Sequence, residues 1–373
     1  MRLEHLTING YRSIRRIRLP VETLSVLVGA NGVGKTNLYK GLALARSAAT
    51  GTLAEDIARE GGLDAVLWGG PRKEDDKAMR LAVDLRDGDG TGYSYEVRVT
   101  LPDSRYEAAF SHEARIREER LYVRAGSGKA LMMERDGPSA WGRDGGGRKV
   151  LALEGLMASE TALSRMGPQF PEVHIVRSTL ADWRFYHGFR TDAGSPLRRP
   201  ALAVATPMLS PSGDNLAAVF ATLAHVVEDD TDLHEAFRDA FPEAALHVGV
   251  PEAEARFHVS YRDIPGRVFG AAELSDGTMQ YLALMGALLS TRLPPFVALN
   301  EPETSLHPDL MPALAKLVAR AARKTQVWVV THSEALASAL AEETGILPRT
   351  VIRRDGATWI EGLTGVGGFE DDR

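Results

Sequence analysis

The sequence predicts an α/β fold whose core is interrupted by an antiparallel β subdomain and a helical lobe. Three observations predict it. The apolar runs Leu24–Val28, Phe296–Leu299 and Val327–Val330 each end in glycine or polar residues, the mark of buried strands stopping at a sheet edge. From Ala78 to about Met133 the apolar residues alternate with period two. Between residues 150 and 270 helical periodicity returns, broken by the Pro-, Ser- and Gly-rich stretch Thr191–Pro211.

At 373 residues the chain is long enough for one large domain or two to three lobes. Its 44% hydrophobic and 25% charged content is that of an ordinary globular protein. The absence of cysteine excludes disulfides and thiolate metal sites and fits a reducing compartment. The first residues, Met1–Thr7, have no apolar signal core, and no apolar stretch approaches the ~18 residues of a membrane span. A cytoplasmic location without membrane contact is expected. The formal charge of −6 is the wrong sign for a protein that coats DNA, so any DNA contact needs a local basic face. Arg12, Arg15, Arg16 and Arg18 form one candidate, and Arg190, Arg198 and Arg199 another. A solvated surface is the simpler reading of both.

In order, Leu3–Asn9 and the segment after Tyr11-Arg-Ser-Ile14 read as strands, followed by Leu24–Val28. Gly29, Gly34, Lys35 and Thr36 then fit the phosphate-loop pattern G-x-x-x-x-G-K-[ST]. Glycines let the backbone curl so that successive N–H groups make an anion cradle, and the helix starting near Lys35 adds its positive end. Lys35 reaches the β- and γ-phosphates, and the Thr36 hydroxyl suits Mg²⁺. Leu38, Leu42, Leu44 and Ala45 continue as a helix over 35–48, ending near Thr50-Gly51. Residues 52–76 are mixed, with breakers at Gly61-Gly62 and Gly69-Gly70-Pro71.

The meander that follows is read as four or five strands, with turns at Asp87–Gly90, Pro102-Asp103 and Gly126-Ser-Gly128. Residues 134–149 read as a mobile loop, 150–168 as helical, and Val173–Val176 as a short strand. Thr191–Pro211 is expected to cross the surface. Ser212–Asn215 caps a helix to about Glu228, and another covers Asp232–Phe241. Ala253–Tyr261 alternates as a strand. The resulting division is 1–76, N-terminal strands and phosphate loop; 77–149, β subdomain; 150–270, helical lobe with linker; and 271–373, a C-terminal lobe.

That last lobe carries three motifs. Phe296–Leu299 runs into Asn300 and Glu301, an acidic strand end downstream of a phosphate loop, where the first position serves the Mg²⁺ shell and the second orients or deprotonates water. Leu274-Ser-Asp-Gly-Thr278 precedes the apolar helix Tyr281–Leu289, with Ser275 or Asp276 as N-cap and Gly277 beside a second anion site. Val327–Thr331 is a buried strand ending beside His332, a residue suited to sensing a γ-phosphate. Glu334–Glu343 then reads as a helix, and Val351–Ile360 as a hairpin turned at Asp355-Gly356.

Taken in order, the phosphate loop, Leu274–Thr278, Asn300–Glu303 with Leu306-His-Pro308, and Thr331-His-Ser333 resemble the SMC/RecF-type branch of the ATP-binding-cassette ATPases. Within it, the predicted ATPases of the AAA-15/AAA-21 group are the nearest match, and Ile8–Ile14 resembles that group's opening strand. The resemblance covers residues 1–50 and 270–335. It implies a P-loop NTPase with an ABC-type head that uses ATP and Mg²⁺. Gly29, Ala30, Asn31, Gly32, Val33, Gly34 and Lys35 then hold phosphates, Thr36 and Asn300 serve Mg²⁺, Glu301 is the catalytic base and His332 the γ-phosphate switch. Ser275 and Gly277 become the signature motif, which in this family acts on the nucleotide of a second protomer, so an ATP-dependent head-to-head homodimer is implied. The function that follows is a switch acting on DNA or a partner protein, in DNA repair, chromosome maintenance or phage defence.

Two departures stand out. Asn300 occupies a position that is aspartate in most relatives, and its amide accepts from a Mg²⁺-bound water without supplying charge. A glutamine loop is not obvious, Gln169 being the nearest by position and Gln280 lying inside the signature helix. Related nucleases add a Toprim domain after the switch histidine, but only 41 residues follow His332, so nuclease activity is not expected. The rival reading is a nucleotide-binding regulatory or scaffold protein with little turnover, motivated by Asn300. A transporter's ATPase subunit is disfavoured by the Asn-Glu-Pro-Glu and Ser-Asp-Gly-Thr variants.

Overall fold

A computed structural model describes residues 1–70, 78–102, 112–126, 128–226 and 231–370. The chain divides into two compact units, the first made of Met1–Glu22, Gly29–Trp183 and Arg349–Arg373, the second of Thr23–Val28 and Arg184–Pro348.

An eight-stranded antiparallel sheet dominates the first unit, in the order Ile14–Pro20, Arg2–Tyr11, Ala78–Arg86, Gly92–Thr100, Arg115–Ala125, Gly128–Asp136, Ser139–Arg143, Lys149–Leu153. The period-two alternation decides which face is buried. Leu81, Val83, Leu85, Tyr95, Val97 and Val99 point into the core, and the residues between them carry cross-strand ion pairs such as Arg98–Glu118 at 2.7 Å. Helix Lys35–Thr50 buries Leu38, Leu42, Leu44 and Ala45 and lies near helix Pro171–Ala181, where Arg46 Nε donates to the Ala181 carbonyl at 3.3 Å. The hairpin Arg349–Arg354 with Ala357–Ile360 turns on Asp355 and Gly356, both with positive φ.

Several expectations for this unit are corrected. The expected meander over Ala78–Met133 is present as four antiparallel strands, but its sheet is larger, because the N-terminal strands join one edge and Ser139–Arg143 and Lys149–Leu153 the other. Residues 134–149 are not a loop. Met133 pairs with Gly142 and Arg135 with Ala140, and the chain turns at Gly137-Pro138 and in the Asp144–Gly147 region. The glycines that suggested mobility include Gly142, where a Cβ would sit 2.4 Å from the Met166 methyl, so that glycine permits close packing. Residues 150–168 are a strand followed by one short helix, Ala162–Arg165. Val173–Val176 belongs to helix Pro171–Ala181, started by Pro171 at its first turn, so its β-branched residues are overridden by tertiary context. The mixed 52–76 stretch contains helices Leu53–Arg59 and Leu63–Val66. The expected turns at Pro102-Asp103 and Gly126-Ser-Gly128, the Gly69–Pro71 breaker and the helix end at Glu228 lie partly or wholly outside the described residues.

The second unit is built on parallel strands in the order Arg184–His187, Phe296–Asn300, Gln326–Thr331, Leu24–Val28. The runs Phe296–Leu299 and Val327–Val330 are buried throughout, as are Leu24, Val26 and Leu27, and helices Leu216–His225, Asp276–Leu289, Met311–Ala322 and Glu334–Thr344 supply core residues. Each fully buried Leu, Val or Phe side chain in this core contributes about 1.5–3 kcal/mol. Because the strands run parallel, their C-terminal residues share one edge. His187 stands opposite Asn300 and Thr331 opposite Val28. Thr191–Pro211 does more than cross the surface. Leu197 and Leu209 are buried in this core, and Ala201–Leu202 pairs with Glu254–Ala255. Among the described residues no helix is long and apolar enough to cross a membrane.

Candidate functional site

In the first unit the phosphate loop has the conformation its glycines predict. Gly32 has φ 79° and Gly34 φ 103°, values that L side chains adopt only with strain. Gly34 is the N-cap of helix Lys35–Thr50, no side chain caps it, and no acidic residue lies in its first turn. The helix therefore presents uncapped N–H groups and its positive end. Ala30, Asn31 and Gly32 are exposed, while Lys35 is 4% exposed and donates to the carbonyls of Gly29 and Ala30. Thr36 is half-buried in the first turn.

Behind the loop lies a network the sequence did not reveal. The Thr358 hydroxyl donates to the Val33 carbonyl at 2.8 Å and stands 2.6 Å from Ser13 Oγ, to which Asn37 Nδ2 donates at 2.6 Å. A Cβ on Gly34 would lie 1.9 Å from Thr358 Oγ1, and one on Gly29 2.5 Å from the Val351 carbonyl oxygen. The terminal hairpin thus backs the loop so closely that only glycine fits at both positions.

In the second unit the strand ends assemble a carboxylate–histidine cluster. Glu301 follows strand Phe296–Asn300 with φ 51°, a left-handed backbone for a residue with a side chain. His332 Nδ1 lies 3.6 Å from Glu301 Oε1 and 3.2 Å from Glu303 Oε1. The Glu303 side chain is only 6% exposed. Its Oε1 accepts from Thr331 Oγ1 at 2.6 Å and from the His332 N–H at 3.1 Å, fixing the turn that carries the histidine. Asn300 is buried, and its Nδ2 donates to His187 Nδ1 at 2.6 Å. Asn300 Oδ1 and Glu303 Oε2 are buried with no hydrogen-bond partner among the described residues, which costs about 1–3 kcal/mol for each such group.

Ser275 caps helix Asp276–Leu289, its hydroxyl accepting from the Thr278 N–H at 3.1 Å. A Cβ on Gly277 would sit 2.9 Å from the Ser305 carbonyl oxygen, so the signature turn packs on the loop after Glu301, where Ser305 also has positive φ. Ser275 and Asp276 are exposed. Arg198 pins this segment from behind, donating to the carbonyls of Ala271 and Leu274 and pairing with Asp276 at 2.7 Å.

Residues 24–135 and 158–338 match the family described as AAA domain, putative AbiEii toxin, Type IV TA system. The chain belongs to this family. Solved structures add a likeness of fold to the heads of SMC proteins, which are ABC-type P-loop ATPases. The SMC head bound to the C-winged helix domain of ScpA matches with a TM-score of 0.56 at 13% identity, covering 98% of each chain. The Smc head with coiled coil and joint from Pyrococcus yayanosii gives 0.54 at 11% identity, covering 97% of each, and the SMC head from Thermotoga maritima 0.50 at 13%, covering 96% of this chain and 98% of its own. No curated protein matches in sequence.

ATPases of this type bind ATP, usually with Mg²⁺, and this member of the AAA-domain family has residues that fit both. The loop backbone at Ala30–Gly32 is exposed, its helix start is uncapped, and the buried Asn300 oxygen has no donor among the described residues, of the kind a metal-bound water supplies. Glu301 and His332 come together, as do Gly277 and the loop carrying Ser305. Most of the arginines in the two basic clusters have partners: Arg12 pairs with Glu60, Arg18 with Asp84 and Arg190 with Asp192, Arg15 stacks on Trp68, and Arg198 is nearly buried, whereas Arg16 and Arg199 are exposed. Gln169 is exposed in the turn before helix Pro171–Ala181, and Gln280 is buried with Nε2 3.5 Å from the Pro302 carbonyl. Sequence reasoning missed Glu303 and His187. The Glu-Pro-Glu spacing was a signal for the first. The second ends a strand of four residues, too short for periodicity to register.

Proposed function

We propose that this chain is an ATP-binding and ATP-hydrolysing switch. The observation that carries the reading is the cluster of Glu301, Glu303 and His332 at adjacent parallel strand ends, where buried Glu303 fixes the histidine and Glu301 holds a backbone that a side chain adopts only with strain. In this reading Gly29–Gly34 and Lys35 hold the phosphates of ATP, and Thr36 and Asn300 face the Mg²⁺ shell. When bound, Mg²⁺ screens the charge of the β- and γ-phosphates and fixes their geometry. Glu301 orients the attacking water and accepts its proton. His332 reports the γ-phosphate through a hydrogen bond, and Ser275 with Gly277 addresses the nucleotide of a second copy, so that ATP closes a head-to-head homodimer and hydrolysis reopens it. Output to DNA or a partner protein, in repair, chromosome maintenance or defence, follows from that cycle.

The test is steady-state ATP hydrolysis by the wild type and Glu301→Gln. Loss of a positioned general base lowers kcat about 10²–10⁴-fold, with KM changing far less. A wild type as slow as Glu301→Gln removes the enzyme reading. Asn300 favours the second reading, a nucleotide-binding regulator with little turnover, because its amide brings no charge to the metal. That reading predicts ATP binding by both proteins with no difference in rate.

A further inference from the structure

Strands Arg184–His187 and Phe296–Asn300 end in register, which places His187 opposite Asn300. The Asn300 Nδ2 donates to His187 Nδ1 at 2.6 Å. An amide has a donor end and an acceptor end, so engaging Nδ2 settles where Oδ1 points. That oxygen is buried, with no donor among the described residues. A fold that needed only to fill this space would not leave an acceptor unsatisfied there.

We propose that His187 is a positioning residue that turns the Asn300 amide so that its oxygen receives a hydrogen bond from water on a divalent cation. The inference rests on the ATP reading above and adds to it an account of the amide. An aspartate at this position offers two equivalent acceptor oxygens and needs no orienting partner. An asparagine offers one, and with the amide reversed the donor end faces the cation's water, whose protons it cannot accept. The neutral imidazole accepts from Nδ2 through a ring nitrogen that carries no proton, and so selects the productive orientation. The requirement for His187 is therefore conditional on residue 300 being asparagine.

That condition sets the experiment. The full chain is titrated with a fluorescent ATP analogue in EDTA and in saturating Mg²⁺, and the ratio of affinities is the Mg²⁺ enhancement. Electron paramagnetic resonance of Mn²⁺ with ATP present gives an independent reading of cation binding. His187→Leu is expected to leave the EDTA affinity within about twofold and to cut the Mg²⁺ enhancement about tenfold, equivalent to about 1.4 kcal/mol. His187→Gln, which restores an acceptor, recovers most of that loss. In an Asn300→Asp background the same His187→Leu change alters the enhancement by less than about twofold, which a double-mutant cycle reads as coupling. Thermal unfolding of each variant checks the fold, and His187→Gln carries the test if His187→Leu is unstable. Equal loss in both backgrounds, or no loss in either, overturns this proposal alone. A wild type that binds no ATP in either buffer overturns the parent reading and this one with it.

Discussion

Arg135 and Glu119 form an ion pair with side chains 1% and 0% exposed, inside the first unit. Each charge is satisfied several times. Glu119 accepts from the Tyr95 hydroxyl and from the N–H groups of Ala162 and Leu163, while Arg135 donates to the carbonyls of Gly137, Met157 and Glu160. The pair thus fixes the β subdomain to the start of helix Ala162–Arg165. Removing one partner leaves the other charge buried, which costs about 3–5 kcal/mol. Arg135→Met is expected to lower chemical-denaturation stability by that amount. The double variant Arg135→Met with Glu119→Leu recovers part of the loss, whereas no change in the single variant shows the charge is not buried in solution. No sequence pattern marks this pair, since Glu119 and Arg135 sit in strands of otherwise alternating residues. His187 and Glu303 were hidden for a similar reason. Their roles depend on which strand ends lie side by side, and strand order is a property of the assembled sheet. Glu301, His332 and Lys35 stand out in the sequence because their motifs fix both residue type and local geometry, and the strand ends do place Glu301 beside His332.

Elements were legible where periodicity was long. The helix after the phosphate loop, the buried strands and the terminal hairpin all stand within a few residues of their expected places. Those misread, Val173–Val176 and residues 134–149, are short or glycine-rich, and sheet pairing or helix packing decided them. What the hairpin does was not legible at all. Its Thr358 hydroxyl supports the Val33 carbonyl, and with Ser13 it fills the space beside Gly34. A loop held in advance loses less entropy when phosphate binds. Thr358→Val keeps the volume and removes the hydroxyl, leaving the Val33 carbonyl without this donor. ATP and ADP affinities, measured by calorimetry, are each expected to fall about five- to tenfold, a loss of about 1–1.4 kcal/mol. Thr358→Ser should bind like the wild type. Unchanged affinity in Thr358→Val means the hairpin covers the loop without organising it.

At the scale of the whole molecule the proposed switch needs a second copy. A two-fold assembly is self-complementary, so a residue that acts across the interface also receives the same action in return. Ser275 and Asp276 are exposed while the helix they begin is buried from Thr278 onward. Arg198 holds that exposed turn in place through the carbonyls of Ala271 and Leu274 and the Asp276 carboxylate. A rigid, outward-facing turn at a helix N-terminus is suited to meeting phosphate on another molecule. Glu301→Gln should trap the ATP-bound state, so its mass by light scattering is expected to rise from 40.5 kDa towards twice that when ATP and Mg²⁺ are added. Adding Ser275→Arg, which places bulk and a long side chain on the proposed interface, should keep the protein monomeric while leaving ATP affinity per chain within about threefold, because the change lies outside the phosphate loop. The paired measurement separates two failures. A Glu301→Gln protein that binds ATP and stays monomeric at high concentration argues against the sandwich. One that dimerises equally with and without Ser275→Arg places the interface elsewhere on the surface.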